Sequence, residues 1–367
     1  MSFHKGFIFR KKKFVSPFRY ICENHQNADC MKVLVTGGTG FIGSHTIVQL
    51  VEAGHTPVII DNLSNSELKV LDGLEGILGF KPKYYNADCT DKSAFKAICE
   101  SEKPEAIIHF AAFKAVGESV ANPLLYYRNN IGSMSVVLET MKECGIWNLV
   151  FSSSCTVYGQ PDVLPVTETT PDRNAASPYG YTKVVCEQMV RDVCISDSRF
   201  KVAVLRYFNP IGAHKSGLIG ELPNGIPSNL VPFVTQTAAG LHSKLTVFGN
   251  DFNTHDGSCI RDFIHVVDLA KAHVASMDWL AVFDSGYEVF NIGQGKGNTV
   301  LEVVKAFVKI TGVELSYEIG PRRAGDIEKI WADVTKSTEV LKWKTELSIE
   351  DALQDAWNWQ LKLATRS

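Results

Sequence analysis

The sequence lacks any uninterrupted apolar run long enough to cross a bilayer, so no stretch reads as a membrane-spanning helix. It also lacks a Cys-x-x-Cys pair, and its nine cysteines are odd in number and scattered. Neither a disulfide framework nor a zinc site is indicated, and reduced thiols fit a cytoplasmic protein. Positive charge is scarce outside the N-terminal segment 1–30. That segment holds six Lys or Arg against two acidic residues, leaving 31 basic and 38 acidic side chains in the remainder. A body with that balance offers no broad footprint for nucleic acid. Repeats and low-complexity segments are missing too. The expectation is a protein with no metal, no nucleic-acid partner and no membrane contact.

The composition that remains is ordinary for a globular protein, with 45% hydrophobic and 21% charged residues. A chain of 367 residues calls for one large domain or two fused ones. The basic, acid-poor segment 1–30 admits three readings: a transit peptide, a membrane-surface arm, or a disordered extension, the last including a start codon placed too early. Met31 directly precedes a complete first strand, which favours the extension.

Residues 32–36 (Lys-Val-Leu-Val-Thr) read as a short apolar strand, followed at once by Gly37-x-x-Gly40-x-x-Gly43 and a run of helical periodicity ending at Gly54. Strand, glycine turn and helix in that order form the setting in which a pyrophosphate meets a helix N-terminus. A second strand, 57–60, ends at Asp61, close to the interval after the glycine turn at which an acid meets the adenosine ribose. An acid there suits ribose hydroxyls and disfavours a 2′-phosphate, so NAD is expected rather than NADP. Further strands are read at 83–86, 106–110 and 149–151, with helices between them. That alternation predicts a doubly wound parallel α/β sheet of the Rossmann type. Thr36, Asp61, Asp88, Phe110 and Ser152 then sit at strand ends around one crevice. A long helix is expected over about 124–144. It contains Asn129 and Asn130, which are unfavourable inside a helix unless one side chain turns inward to bond.

The stretch 152–183 carries the chemistry. Ser177 is a good N-cap and Pro178 suits the first helical position, so a helix starts there. Tyr179 and Lys183 then share one face, and an ammonium beside a phenol favours the phenolate, making Tyr179 a candidate general base. Tyr181 points elsewhere. After residue 206 the pattern changes, with Pro and Gly punctuating 209–249 and an Asn/Asp/Gly-rich loop over 249–258. The strand 287–292 is expected to return to the first domain. The resulting division is an extension (1–30), a dinucleotide-binding domain (31–206) and a smaller interleaved C-terminal substrate domain (207–367), with segments near 260–295 returning to the first. Helices around 299–311 and 348–361 complete the smaller domain, and Trp357 and Trp359 read as packing residues.

Gly37-x-x-Gly40-x-x-Gly43, Asp61-Asn62, the run from His109 to Ser119, Ser152-Ser-Ser-Cys-Thr-Val-Tyr-Gly159 and Tyr179-x-x-x-Lys183 together resemble the extended short-chain dehydrogenase/reductase family. The runs 205–214, 225–230 and 257–266, with Arg322-Arg-Ala-Gly-Asp326, are similar to its UDP-hexose 4-epimerase branch. The likeness extends from Met31 to about Leu363. It implies oxidation at C4 of a UDP-hexose by tightly held NAD, rotation of the 4-keto sugar, and return of the hydride to the opposite face, interconverting UDP-glucose and UDP-galactose. By position, Tyr179 takes the C4 hydroxyl proton, Lys183 assists it and holds the nicotinamide ribose, and Ser154 bonds the reacting hydroxyl. Gly37, Gly40, Phe41, Ile42, Gly43, Asp61, Asn62, Asp88, Cys89, Phe110, Ala111, Lys114, Asn129, Ser152 and Tyr207 match the cofactor contacts. Thr156, Asn209, Asn229, Phe248, Arg261, Arg323 and Asp326 match the UDP-sugar contacts. The resemblance further implies a homodimer, for which the helix from Leu124, with Val136, Val137 and Met141, is a candidate face.

Three positions depart from the family pattern. Cys155 stands where alanine is usual and would admit thiol reagents beside Ser154. Ser228 replaces the first of two asparagines. Ile330 lies between the bulky and the small residue found there, which leaves open whether UDP-GlcNAc and UDP-GalNAc are accepted. A 4,6-dehydratase would need an Asp-Glu pair where Cys155-Thr156 stand, and a decarboxylase an acid there. A non-catalytic NAD-binding regulator would have little reason to keep Ser154, Tyr179 and Lys183 with the UDP-sugar set.

Overall fold

Seven parallel strands, each with apolar residues on both faces, form the centre of the protein. The computed structural model describes residues 30–172, 175–323 and 326–365; the expectations for segment 1–30, apart from Cys30, lie outside them. In chain order the first half runs β1 (Lys32–Thr36), α1 (Phe41–Glu52), β2 (Thr56–Asp61), α2 (Val70–Leu78), β3 (Lys83–Asn86), α3 (Lys92–Glu102), β4 (Ala106–His109) and α4 (Val116–Ala121). A short helix α5 (Pro123–Tyr126) continues through a π-helical turn (Tyr127–Ile131) into α6 (Gly132–Cys144). Next come β5 (Asn148–Ser154), a 3₁₀ turn (Cys155–Tyr158), α7 (Pro178–Ser196) and β6 (Lys201–Tyr207).

The second half holds β7 (Asn209–Ile211), α8 (Leu230–Ala238), β8 (Leu245–Phe248), β9 (Ile260–His265), α9 (Val266–Val282), β10 (Gly286–Ile292) and β11 (Gly297–Thr299). It ends with α10 (Val300–Thr311), β12 (Tyr317–Gly320), β13 (Lys329–Ile330), α11 (Thr335–Val340) and α12 (Ile349–Ala364).

The large sheet has the order β10-β6-β5-β4-β1-β2-β3, all parallel. Side chains alternate across it with period two, as they must in a strand. Val33, Val35, Ile59, Ile108, Val150 and Leu205 enter one core, while Leu34, Val58, Ile60, Ile107, Phe151 and Val204 enter the other. Helices cover both faces, which is why these strands read as nearly continuous apolar runs. The neighbours β1 and β4 are separated in sequence by two strands, β2 and β3, so the chain reverses its winding direction there and opens a crevice above the strand ends.

The return of the chain to this sheet is uneven. Strand β10 pairs with β6 as the seventh strand, and α9 packs along α1. By contrast β9, at the start of the same stretch, pairs with β7, β11 and β13 in a separate small sheet. A third apolar core lies between that region and helices α8, α10 and α12, and includes Phe263, Phe307 and Leu353. Trp359 is buried, and Trp357 meets Phe307 edge-on, in keeping with packing roles.

Three expectations change here. The helix expected over 124–144 is interrupted by its π turn at Tyr127–Ile131, where both asparagines sit. The serine run belongs to the strand itself, because β5 extends to Ser154. Val137 and Met141 are fully buried in the chain's own core, so they are not available to a partner; the 3.6-residue period places them inward.

Candidate active site

Tyr179 and Lys183 meet the end of β5 because α7 starts where the sequence dictates. The Ser177 side chain accepts from the Gly180 amide at 3.2 Å, and Pro178 occupies the first turn. Lys183 is 4% exposed, and its ammonium donates to the Ser152 carbonyl at 2.7 Å and lies 5.1 Å from the Phe151 ring centre. Burial lowers its pKa to about 8. Burial also acts on Tyr179, pushing the phenol up to about 12 against the pull of a hydrogen bond from Ser154. The expected depression of the phenol by the ammonium does not appear within the protein alone, where burial dominates.

Ser154 closes the triangle. Its hydroxyl oxygen accepts from the Thr156 amide at 3.3 Å and from the Thr156 hydroxyl at 3.0 Å, leaving its own proton free to point at Tyr179. Cys155 beside it is buried, and burial raises its thiol to about 12. Burial and the raised thiol weigh against the expected reactivity toward thiol reagents, since the nucleophile is the thiolate.

The glycine turn is shaped for a dinucleotide. Gly37 has φ of +69°, and a Cβ there would sit 2.9 Å from the Ala111 amide nitrogen. On Gly43 a Cβ would lie 2.3 Å from the Gly37 carbonyl oxygen, so the turn closes only without one. Gly40 caps α1 with no side-chain hydrogen bond, so the amides of Phe41, Ile42 and Gly43 open a helix N-terminus onto the crevice. Asp61 flanks it, accepting from the Thr39 and Leu63 amides at 3.2 and 2.9 Å and from the Ser66 hydroxyl at 3.0 Å. Across the next strand ends, Asn62 donates to Asp88 at 2.8 Å. The Cys89 thiol is buried in the core below this rim. These residues fit an NAD dinucleotide.

Farther along the crevice, Phe110 and Ala111 follow β4, with the Ala111 amide bonded to the Thr36 hydroxyl at 3.2 Å. Tyr207, at the end of β6, is buried and bonds His273 on α9. The other imidazole nitrogen of His273 donates to the Leu269 carbonyl at 2.8 Å, so the ring accepts from Tyr207. Burial lowers His273 to about 3, which keeps it neutral in that role. Of the two asparagines in the π turn, Asn130 is the buried one. Its side chain bonds both backbone groups of Phe113 and the Thr182 hydroxyl on α7, at 2.9 to 3.0 Å, while Asn129 donates to it at 3.0 Å.

The residues matched to UDP-sugar contacts fall into two groups. Arg323 pairs with Asp326 at 3.0 and 3.2 Å and lies over the Phe248 ring. Arg261 reaches the Ile327 carbonyl at 2.7 Å and lies 3.9 Å from Asp326. Its charge is also felt at Cys155, which links this group to the Ser154 end of the crevice. The second group is held by Glu221: one carboxylate oxygen accepts from Lys114 at 3.0 Å and from Asn229 at 2.6 Å. Asn209 opens β7, which pairs with β9 beside Arg261. Sequence reasoning missed His273 and Glu221, while Asn130 is the one of the two asparagines that turns inward, as expected. Neither His273 nor Glu221 left a local signal.

A dinucleotide turn facing a Ser-Tyr-Lys cluster on a doubly wound sheet defines a nicotinamide-dependent short-chain enzyme. The chain belongs to the NAD dependent epimerase/dehydratase family, whose model matches residues 33–293. It is 48% identical over 332 residues to the UDP-glucose 4-epimerase of Yersinia pestis, covering 90% of this chain and 98% of that one. Among solved structures it resembles UDP-glucose 4-epimerase of Stenotrophomonas maltophila with bound NAD and formylated UDP-arabinopyranose, at TM-score 0.89 and 44% identity over 92% of this chain and 100% of that one. The enzyme of Bifidobacterium longum in complex with NAD+ and UDP gives TM-score 0.88 and 46% identity, over 90% and 98%.

Gly43→Ala is expected to lower NAD affinity at least tenfold, because the new methyl displaces the Gly37 carbonyl and distorts the turn. Nucleotide released on denaturing equal amounts of the two proteins measures this. Wild-type loading would show that the turn tolerates the methyl.

Proposed function

We propose that this chain interconverts UDP-glucose and UDP-galactose in the cytoplasm, as a homodimer, using tightly held NAD and the cluster of Tyr179, Lys183 and Ser154. The observation that carries the reading is the buried Lys183 ammonium fixed on Ser152, one helical turn from a phenol that Ser154 also reaches. The relatives named above are UDP-glucose 4-epimerases, two of them solved with the dinucleotide and a UDP-containing ligand bound.

NAD+, held by the glycine turn and Asp61, would supply the hydride acceptor and a positive charge to oppose the upward push of burial on the phenol. Tyr179 takes the proton of the C4 hydroxyl and later returns it. Ser154 donates to the reacting oxygen and keeps it within reach. Lys183 holds positive charge beside the phenolate as it forms. Arg261 and Arg323 bring planar forks to the diphosphate, a match of geometry as well as charge. Asp61 holds the adenosine ribose, and the open end of α1 holds the pyrophosphate. Because Cys155 and Thr156 carry no carboxyl, elimination of a sugar hydroxyl has no acid to assist it, which weighs against a dehydratase.

Ile330 is 1% exposed and packs with Cys155, Val157 and Phe208 behind Ser154. Its branched side chain fills that wall, so hexoses without an N-acetyl group are the proposed substrates. The dimer face excludes Val137 and Met141, which the chain's own core already holds.

Incubation of the purified protein with UDP-galactose and no added NAD is expected to yield UDP-glucose, with UDP-GalNAc turning over more slowly in parallel. No conversion of either sugar after NAD is added would sink the assignment. The pH profile gives a second test. The Lys183 ammonium is present below about 8 and is lost as pH rises through that value, whereas an ordinary lysine titrates near 10.5. Turnover should therefore fall on an alkaline limb near pH 8. A limb near 10.5 would contradict a buried ammonium as the assisting charge.

A further inference from the structure

Among the described residues Arg206 is the largest side chain with essentially no solvent access, at 1% exposure. It projects from β6 toward α7, where its Nε and Nη2 meet the two carboxylate oxygens of Glu187 at 3.0 and 2.6 Å. Glu187 is 6% exposed and also accepts from the Ser153 hydroxyl on β5. Asp172, on the chain leading into α7, takes Arg206 at 2.6 Å, and the Tyr158 ring lies 4.8 Å from the guanidinium carbon. The Glu187 charge is also felt at Lys183, one helical turn away on the same face.

We infer that Glu187 and Arg206 are a positioning pair that sets the register of α7 on β5 and so places Tyr179 and Lys183. The inference rests on the site reading proposed above. Tyr179, Lys183 and Glu187 stand at intervals of four, on one face of α7. They face three consecutive residues of β5: Lys183 bonds the Ser152 carbonyl, Glu187 the Ser153 hydroxyl, and Tyr179 lies toward the hydroxyl of Ser154. The three contacts differ in stiffness. A lysine stem of four carbons can follow its carbonyl while the helix slides, but the rigid phenol cannot follow a reacting hydroxyl. A carboxylate held by a planar two-point fork is the contact that resists sliding.

Stability is a poor alternative reason for the pair. Taking both charges out of water is costly, and replacing a buried ion pair by neutral side chains of similar volume is often neutral or favourable. Geometry is not so replaceable, since displacing a reacting group by about 1 Å costs turnover about 100-fold.

The test compares wild type with the double variant Glu187→Gln/Arg206→Met, which removes both charges together. It is expected to fold and keep NAD, with kcat for UDP-galactose about 10- to 100-fold lower and KM unchanged. A folded, NAD-loaded double variant with kcat within about twofold of wild type would overturn the inference. So would a raised KM at normal kcat, which would move the pair's effect to substrate binding. Should the double variant not fold, Glu187→Asp keeps the charge on a shorter arm. Reduced kcat at unchanged KM then supports the inference, and normal kcat overturns it. A wild type silent on UDP-galactose would instead sink the functional reading. The crystal structure of the double variant then decides, and α7 in its original place on β5 would overturn the pair's role.

Discussion

A lysine ammonium with almost no access to water is the constraint on which this architecture depends. Lys183 can stay charged only if a carbonyl stands where β5 ends, and only if α7 lies flat against that strand. Isolated burial of such a charge costs several kcal/mol, and one hydrogen bond with a neighbouring aromatic face offsets it in part. The remainder appears as a lysine that gives up its proton near 8 rather than 10.5. The same desolvation raises the phenol of Tyr179. Two groups are thus pushed in opposite senses, each toward neutrality; on the proposed reading they exchange charge with a bound substrate and a cationic cofactor.

Much of the surrounding chain holds that contact in place. Asn130 ties the π turn and the backbone of Phe113 to Thr182, one residue before Lys183. On the other face of the sheet, His273 supports Tyr207 from a helix that reaches the crevice much later in the chain. Glu221 joins Lys114 on one side of the crevice to Asn229 on the other, and its own backbone carbonyl is held by the Trp359 indole at 3.0 Å. The crevice is therefore assembled from segments that lie far apart in sequence.

That distance explains what could be read in advance. Local signals were enough for the first two strands and their glycine turn, because backbone sterics at Gly37 and Gly43 leave few alternatives. They were enough for the start of α7 too, where cap, proline and spacing agree. Asp61 was legible from its interval after the turn, and β10 from a strand pattern among helices. The interruption at Tyr127–Ile131 was not, because a π turn trades local hydrogen bonds for tertiary ones that the sequence does not display. Val137 and Met141 showed an apolar face without showing which way it turns. His273, Glu187 and Arg206 gave no signal at all, since a buried histidine or ion pair has meaning only beside partners brought by the fold. The arginines matched to UDP-sugar contacts were legible only through the family likeness, as a lone Arg or Asp in a loop is ordinarily surface decoration.

On the proposed mechanism Tyr179 moves the proton while the surrounding residues hold charge and geometry. The most direct measurement is turnover and NAD content of Tyr179→Phe, which removes one oxygen and leaves the ring in place. A folded protein with wild-type NAD and a loss of turnover of about 100-fold or more is expected. Near-normal turnover with NAD retained would contradict it and take Tyr179 out of the base role.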